Sequence, residues 1–124
     1  MKGLRYIQAS IVAPIIQSES ANYGKQSIEP SKGLVRILSL SPNQEVSSHS
    51  HKALGHEYFY VVKGRGTLFA DGEQAEAEPS MILSVPTQVK HGWKNIIKEM
   101  LIISILMPEA AYKEASTITA WKKT

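Results

Sequence analysis

Histidine is the residue type in this sequence whose number and spacing could do chemistry. The 124-residue chain has four histidines, and three of them lie within eight residues, at positions 49, 51 and 56. The chain has no cysteine, which excludes disulfides, thiolate zinc sites and cysteine nucleophiles. Any metal ion must therefore be held by histidine nitrogen or by carboxylate oxygen.

His49 and His51 are separated by a single residue. In a strand, this spacing places both side chains on one face, about 7 Å apart along the backbone, which is close enough to share a cation. The pair alone is also typical of surface histidines. The spacing therefore leaves both interpretations open.

Glu57 begins an aromatic segment, residues 57–62, that is typical of a strand. Alternation places Glu57 on one face with Phe59 and Val61, and places His56 on the opposite face with two tyrosines. A carboxylate on a buried apolar face costs several kcal/mol unless a cation compensates for it. The alternative is an edge residue that stays in water.

At residues 43–64 the sequence resembles the first signature of the cupin family, G-x5-H-x-H-x3,4-E-x6-G. The matching positions are Asn43, His49, His51, Glu57 and Gly64. Asn43 replaces the first glycine, and asparagine tolerates the left-handed conformation that a turn can need. Five residues, rather than three or four, separate His51 from Glu57, which leaves His56 as a rival to Glu57.

Residues 80–95 resemble the second cupin signature, G-x5-P-x-G-x2-H-x3-N. The matching positions are Ser80, Pro86, His91 and Asn95. Ser80 and Gln88 stand where the family has glycine. Fifteen residues separate Gly64 from Ser80, the short spacing of small single-domain cupins. The resemblance covers residues 43–95, and its strength is that the gaps of both signatures fit jointly.

The resemblance implies an all-β fold, a cupin-type double-stranded β-helix or jelly-roll barrel, with a divalent metal ion held inside near one mouth. Carried over position by position, the metal ligands would be His49, His51, Glu57 and His91. Nitrogen and oxygen donors of this kind suit iron, manganese, nickel, cobalt or zinc. The sequence does not select one of these metals.

Side-chain alternation predicts what surrounds such a metal. Trp93 shares a face with His91, where it either lines the pocket or fills the barrel. The predicted lining residues are Phe59, Val61, Leu83 and Trp93. Arg36 is a single charge within the apolar segment 34–40. It is interpreted as facing solvent, with a substrate carboxylate inside the barrel as the alternative partner.

Hydrophobic patterning predicts strands of five to eight residues separated by tight turns. Turn signals stand at residues 64–66, 71–72 and 79–80. The strands are expected at residues 34–40, 57–62, 67–70, 73–77, 81–85 and 89–107, the last as one strand or two. A short C-terminal helix is expected at residues 108–115, because a proline and an acid stand in its first turn. Residues 117–119 could return to strand.

Composition fits one soluble globular domain, with 43% hydrophobic and 20% charged residues. A chain of this length holds a single core. We expect one domain over residues 1–124, with a barrel core at about 34–107. Residues 1–33 and 108–124 would pack on that core or on a dimer partner.

Charge and hydropathy limit the partners. Fourteen basic and 11 acidic residues give a net charge of +3, but the basic residues are scattered, so nucleic acid is not expected. The apolar stretches at residues 6–16 and 100–107 are too interrupted or too short for a signal peptide or a membrane span. We expect a cytoplasmic protein without a membrane partner. Tyr58 and Tyr60 leave an aromatic patch on the outer face of their strand, which predicts a homodimer.

Three functions remain open at the level of sequence. The first is a metal-dependent enzyme, such as an oxygenase, isomerase, cyclase or lyase, that acts on a small organic molecule. The second is a ligand-binding or sensory module with the same pocket but no turnover. The third is a metal-independent acid–base enzyme of the sugar-epimerase kind, against which the complete ligand set argues. The fold is easier to infer than the reaction, because one scaffold supports many chemistries.

Overall fold

The computed structural model describes residues 3–6, 8, 16–17, 24–29, 35–51 and 55–108, and in these ranges the chain is built from strands. The strands are β1 (Ile16–Gln17), β2 (Gly24–Glu29), β3 (Val35–Leu40), β4 (Val46–His49), β5 (Gly55–Ala70), β6 (Glu73–Ala77), β7 (Ile82–Pro86) and β8 (His91–Pro108). The all-β fold expected from the sequence is confirmed. The helix expected at residues 108–115 and the strand at 117–119 lie outside the described residues, except for Pro108, which ends β8.

One antiparallel sheet connects all of these strands, in the order β1-β2-β3-β8-β5-β6. Strand β4 pairs with β8, and β7 pairs with β5. The two longest strands, β5 and β8, therefore each have three partners among the described strands. Because β8 pairs with β3, β4 and β5, it brings side chains from distant parts of the sequence to one face. Within the described ranges, no helix is long and apolar enough to cross a membrane.

Strand β5 continues through the residues where the sequence predicted a break. The expected division into strands at 57–62 and 67–70 is wrong, because one strand covers both and its register with β8 shifts between Val61 and Thr67. Gly64 lies in this irregular part with a φ of 92°, and a Cβ atom there would lie 2.1 Å from the carbonyl oxygen of Glu99. Gly64 thus allows β8 to approach closely and allows β5 to bulge and bend. It does not end β5.

The apolar core lies on the inward faces of the long strands and their neighbours. Leu40, Val61, Met100 and Ile102 are fully buried, and burial of each such side chain contributes about 1.5–3 kcal/mol. A second group of buried residues is polar or charged. Its members are Glu57, Thr67, Thr87, His91 and Ser104. Buried polar groups require partners, so the interior contains a polar site beside its apolar core.

Two residues that stand in place of the signature glycines adopt the left-handed conformation. Asn43 has a φ of 72° and Ser80 a φ of 76°. Both follow a strand by a few residues and lie in turns. The backbone therefore takes up a glycine-like conformation at both positions. For Ser80 this conformation costs roughly 1–2 kcal/mol, whereas asparagine tolerates it.

Ser80→Gly is expected to raise the free energy of unfolding by about 0.5–1 kcal/mol, because relief of the left-handed conformation exceeds the added chain entropy. Urea unfolding of purified protein measures this change. Asn43→Gly should stabilise less, since asparagine already tolerates a positive φ. The matched control is Ser48→Gly in β4, which should lower stability by about 0.5–1 kcal/mol. Destabilisation by Ser80→Gly would contradict the strain assigned to this turn.

Candidate metal centre

His49 and His91 are brought together by strand pairing. They are direct partners across β4 and β8, so their side chains are neighbours on one face of the sheet. His51 lies just beyond the end of β4, outside the strand that the His49 spacing suggested. Its backbone N–H donates to the carbonyl oxygen of Thr87 at 2.7 Å, which ties this loop to the loop before β8.

The three histidines form a compact cluster. The ring centroids lie 4.6 Å apart for His49 and His91, 5.2 Å for His49 and His51, and 5.4 Å for His51 and His91. One ring nitrogen from each lies within 4.8 Å of those of the other two. Imidazole nitrogen is a common ligand of divalent transition metals, so this cluster could hold a metal ion.

Backbone carbonyl groups orient two of the rings. The Nδ1 atom of His49 lies 2.8 Å from the carbonyl oxygen of Ser47, and that of His91 lies 2.8 Å from the carbonyl oxygen of Val89. A carbonyl oxygen only accepts, so Nδ1 carries the proton and donates in both contacts. When these imidazoles are neutral, Nε2 is left with a lone pair, as metal ligation requires.

Glu57 of β5 contacts two of the three histidines. Its Oε1 atom lies 3.1 Å from His51 Nε2 and 2.9 Å from His91 Nε2. Its Oε2 atom accepts a hydrogen bond from Arg36 Nη2 at 2.9 Å and another from the hydroxyl of Ser104. Only 2% of the Glu57 side chain is exposed. The buried carboxylate is therefore saturated with positively charged and hydrogen-bonding partners.

These contacts keep Glu57 ionised. Burial alone would raise its pKa, but the hydrogen bonds that its two oxygens accept, together with the charge of Arg36, hold the pKa well below its usual range. An ionised oxygen facing two imidazole nitrogens requires a positive charge between them, either a proton or a metal ion. The carboxylate thus favours cation binding at the histidine cluster.

The pKa values of His49 and His91 are shifted in opposite directions. Burial lowers the pKa of His49, which the carbonyl of Ser47 only partly offsets. Burial also acts to lower the pKa of His91, but its hydrogen bonds to Glu57 and to the Val89 carbonyl outweigh this and raise it. His49 is therefore the readier neutral ligand, and His91 retains a proton to higher pH.

The structure brings Glu57, and not His56, to the histidine cluster. Adjacent side chains of a strand point to opposite faces, and Glu57 contacts His51 and His91 directly. His56 is half-buried on the other face, where its backbone pairs with Pro86 and Met107.

A narrow pocket opens beside the cluster. The free space that it encloses is about 20 Å³, which is room for a metal ion or one water molecule. Its lining residues are Arg36, Leu38, Val46, His49, Glu57, Phe59, His91 and Trp93. Two of the four predicted lining residues, Phe59 and Trp93, are among them, with their rings 5.4 Å apart in an edge-to-face contact. Val61 and Leu83 are buried in the core instead, and Leu83 lies behind Phe59 as its partner across β5 and β7.

The position of Arg36 differs from the one expected from the sequence. It was expected to face solvent, yet only 13% of its side chain is exposed and it forms an ion pair with Glu57. Ser104 was not singled out at all. A signal for both residues was present, since Arg36 is the one charge in the apolar segment 34–40 and Ser104 is the one polar residue in the apolar run 100–107.

A family model described as Cupin domain matches residues 36–106. No curated protein matches the sequence. Among solved structures, the chain is similar to an RmlC-like cupin protein from Desulfovibrio desulfuricans. The identity is 20% and the TM-score 0.63, over 87% of this chain and 98% of that chain.

Two further similar structures carry the names of enzymes. A predicted oxalate decarboxylase from Thermotoga maritima is 15% identical with a TM-score of 0.72, over 84% of this chain and 99% of that chain. The polyketide cyclase RemF from Streptomyces resistomycificus is 17% identical with a TM-score of 0.68, over 84% of this chain and 79% of that chain. These likenesses confirm the double-stranded β-helix. At such identities they show the fold alone, because one fold supports many reactions.

Proposed function

The chain belongs to the cupin family, and from this premise we propose that it holds a divalent metal ion in its barrel pocket and acts on a small organic molecule bound beside that ion. His49, His51 and His91 would supply three nitrogen ligands and Oε1 of Glu57 the fourth. An ion bound in this way supplies Lewis acidity or redox chemistry, according to the metal. Iron, manganese, nickel, cobalt and zinc all suit these donors.

The residues around the cluster support a small substrate. The cavity beside the cluster has room for about one water-sized group, so only a small part of a bound molecule would reach the ion. Phe59 and Trp93 provide an apolar wall that limits access of water. Four protein ligands leave coordination positions for the oxygen atoms of a bound molecule in a six-coordinate ion. Two similar structures bear names of enzymes with small organic substrates, which is consistent with a catalytic role.

The observation that carries this proposal is the convergence of three imidazole nitrogens within 4.8 Å. Elemental analysis of protein purified without chelators tests it. We expect one divalent transition metal ion per chain, lost on dialysis against a chelator and regained on addition of the metal. Equal metal content in a His49→Ala, His91→Ala double variant would overturn the proposal.

Metal affinity is expected to fall as the pH is lowered from about 8 to about 6, because ligating imidazoles must be neutral. The raised pKa of His91 makes its proton compete with the metal at a higher pH than an ordinary histidine would. The lowered pKa of His49 delays competition at that ligand. Titration with Co²⁺ at several pH values measures this dependence.

Proton release provides the control for this prediction. Calorimetric titrations in two buffers of different ionisation enthalpy should show that protons leave the protein when the metal binds. An affinity that stays constant over the same pH range, with no proton release, would exclude His91 as a ligand.

We further propose that the protein is a homodimer formed through the outer face of β5, β7 and β8. Tyr60, Ile82 and Ile105 are exposed on this face by 40%, 55% and 38%, and Tyr60 is the strand partner of Ile82. Apolar side chains grouped in this way are typical of protein interfaces.

A cytoplasmic location stays a prediction from the sequence.

Light scattering across a range of concentrations should give the mass of two chains for the wild type. Ile82→Lys is expected to shift the protein to monomer, because it places a charge in the contact. Ile97→Lys, at an exposed isoleucine elsewhere on β8, should leave the dimer intact. A wild-type monomer at all concentrations would refute this assembly.

A further inference from the structure

Ser104 occupies the centre of a polar group that spans three strands. It lies on β8 directly between Arg36 of β3 and Phe59 of β5, which are its strand partners on either side. Glu57 is on the same face of β5 as Phe59, two residues away. The small side chain of Ser104 lets the arginine and the glutamate meet across the intervening strand.

The two oxygens of Glu57 have different surroundings. Oε2 accepts from Arg36 Nη2 at 2.9 Å and from the Ser104 hydroxyl, while Oε1 faces His51 and His91. Arg36 and Ser104 contact this carboxylate from the side away from the histidines. Their side chains are well shielded, since Arg36 is 13% exposed and Ser104 is fully buried.

We infer that Arg36 and Ser104 are positioning residues that hold Glu57 through Oε2 and leave only Oε1 available to a metal ion. This inference rests on the proposed metal site. Hydrogen bonds from an ionised donor to an ionised acceptor are short and strong. The hydrogen bond from Arg36 and that from the Ser104 hydroxyl together fix both the position and the rotation of the carboxylate.

The consequence is a monodentate carboxylate. A metal ion held there would have four protein donors, three imidazole nitrogens and one carboxylate oxygen, and a six-coordinate ion would keep two positions for a ligand. If Oε2 were released, the carboxylate could turn and bind through both oxygens, which would close one of those positions. Arg36 and Ser104 would thus determine how many sites the metal can offer, without touching the metal themselves.

Titration with Co²⁺ tests this role, because its visible absorption reports coordination number and its affinity is measured in competition with a chromophoric chelator. Arg36→Met and Ser104→Ala are each expected to weaken Co²⁺ binding by about 10–100-fold, as loss of outer-shell partners does elsewhere, and to change the visible spectrum. Arg36→Lys keeps a donor and a charge, and should restore much of the affinity. Arg65→Met, at an exposed arginine, and Ser84→Ala, at a half-buried serine of β7, are the matched controls and should bind Co²⁺ as the wild type does.

Each result decides the matter. Wild-type affinity and an unchanged spectrum in both Arg36→Met and Ser104→Ala would overturn the positioning role, even if the variants were less stable. Should Arg36→Met fail to fold, Ser104→Ala and Arg36→Lys decide on the same criteria. A wild-type protein that binds no Co²⁺ would instead overturn the metal site itself, and the positioning role with it.

Discussion

His91→Ala is expected to weaken divalent metal binding by more than about 100-fold, because loss of a ligand should exceed the 10–100-fold effect of losing an outer-shell partner. His91 is 1% exposed and lies 4.6 Å, ring to ring, from His49. It also contacts the carboxylate of Glu57. Its removal takes one nitrogen from the cluster and leaves the carboxylate with fewer partners. Competition titration with Co²⁺ or Zn²⁺ measures the affinity.

The matched control is His56→Ala, which removes a nearby histidine on the other face of β5. We expect this variant to bind metal as the wild type does. Circular dichroism of both variants confirms that they are folded. Loss of metal binding in His56→Ala with retention in His91→Ala would contradict this account, because it would place the metal site on the face of β5 opposite to Glu57.

Glu57→Gln is expected to lower the free energy of unfolding of chelator-treated protein by about 3 kcal/mol, the lower end of the effect of breaking a buried ion pair. The variant leaves the charge of Arg36 buried without its carboxylate. Arg36→Met should cost about as much for the converse reason, because Glu57 then keeps its charge and loses its permanently charged partner. Such a loss lowers the melting temperature by roughly 10 °C in a domain of this size.

The double variant Arg36→Met, Glu57→Gln is the decisive member of this cycle. It removes both charges, so its loss of unfolding free energy should be smaller than the sum of the two single losses, by a coupling of about 2–3 kcal/mol. Urea unfolding of the four proteins gives that coupling directly. Additive losses would show that the two side chains do not interact in solution.

The residues of the histidine cluster could be identified from sequence because the gaps of the two family signatures fit jointly. His49, His51, Glu57 and His91 each match a position of these signatures. The choice between Glu57 and His56 needed the structure, in which Glu57 contacts His51 and His91. The turns that carry Asn43 and Ser80 also follow from local backbone preference. These turns depend on a few neighbouring residues, whereas the signature positions of the candidate site extend from residue 49 to residue 91.

Arg36 and Ser104 could not be placed in the same way. They are far apart in the sequence and meet Glu57 only because β8 lies between β3 and β5. A charge in an apolar strand is most often solvated, and only the strand order shows that this one has a buried partner. The continuity of β5 was missed for a related reason, because Gly64 serves a close approach of β8 that the local sequence does not reveal.

The residues that line the pocket could be predicted from sequence only in part. Alternation correctly places Phe59, Val61, Leu83 and Trp93 on inward faces, where all four are buried. It does not give the depth at which each one lies along the barrel. Phe59 and Trp93 therefore line the cavity beside the histidines, whereas Val61 and Leu83 pack in the core.

A crystal structure of metal-loaded protein with anomalous scattering at the metal edge tests the central claim most directly. We expect one anomalous peak per chain, bound by His49, His51 and His91 and by Oε1 of Glu57, with Oε2 still held by Arg36 and Ser104. An ion bound elsewhere, or a histidine cluster without anomalous density in crystals grown with excess metal, would contradict it.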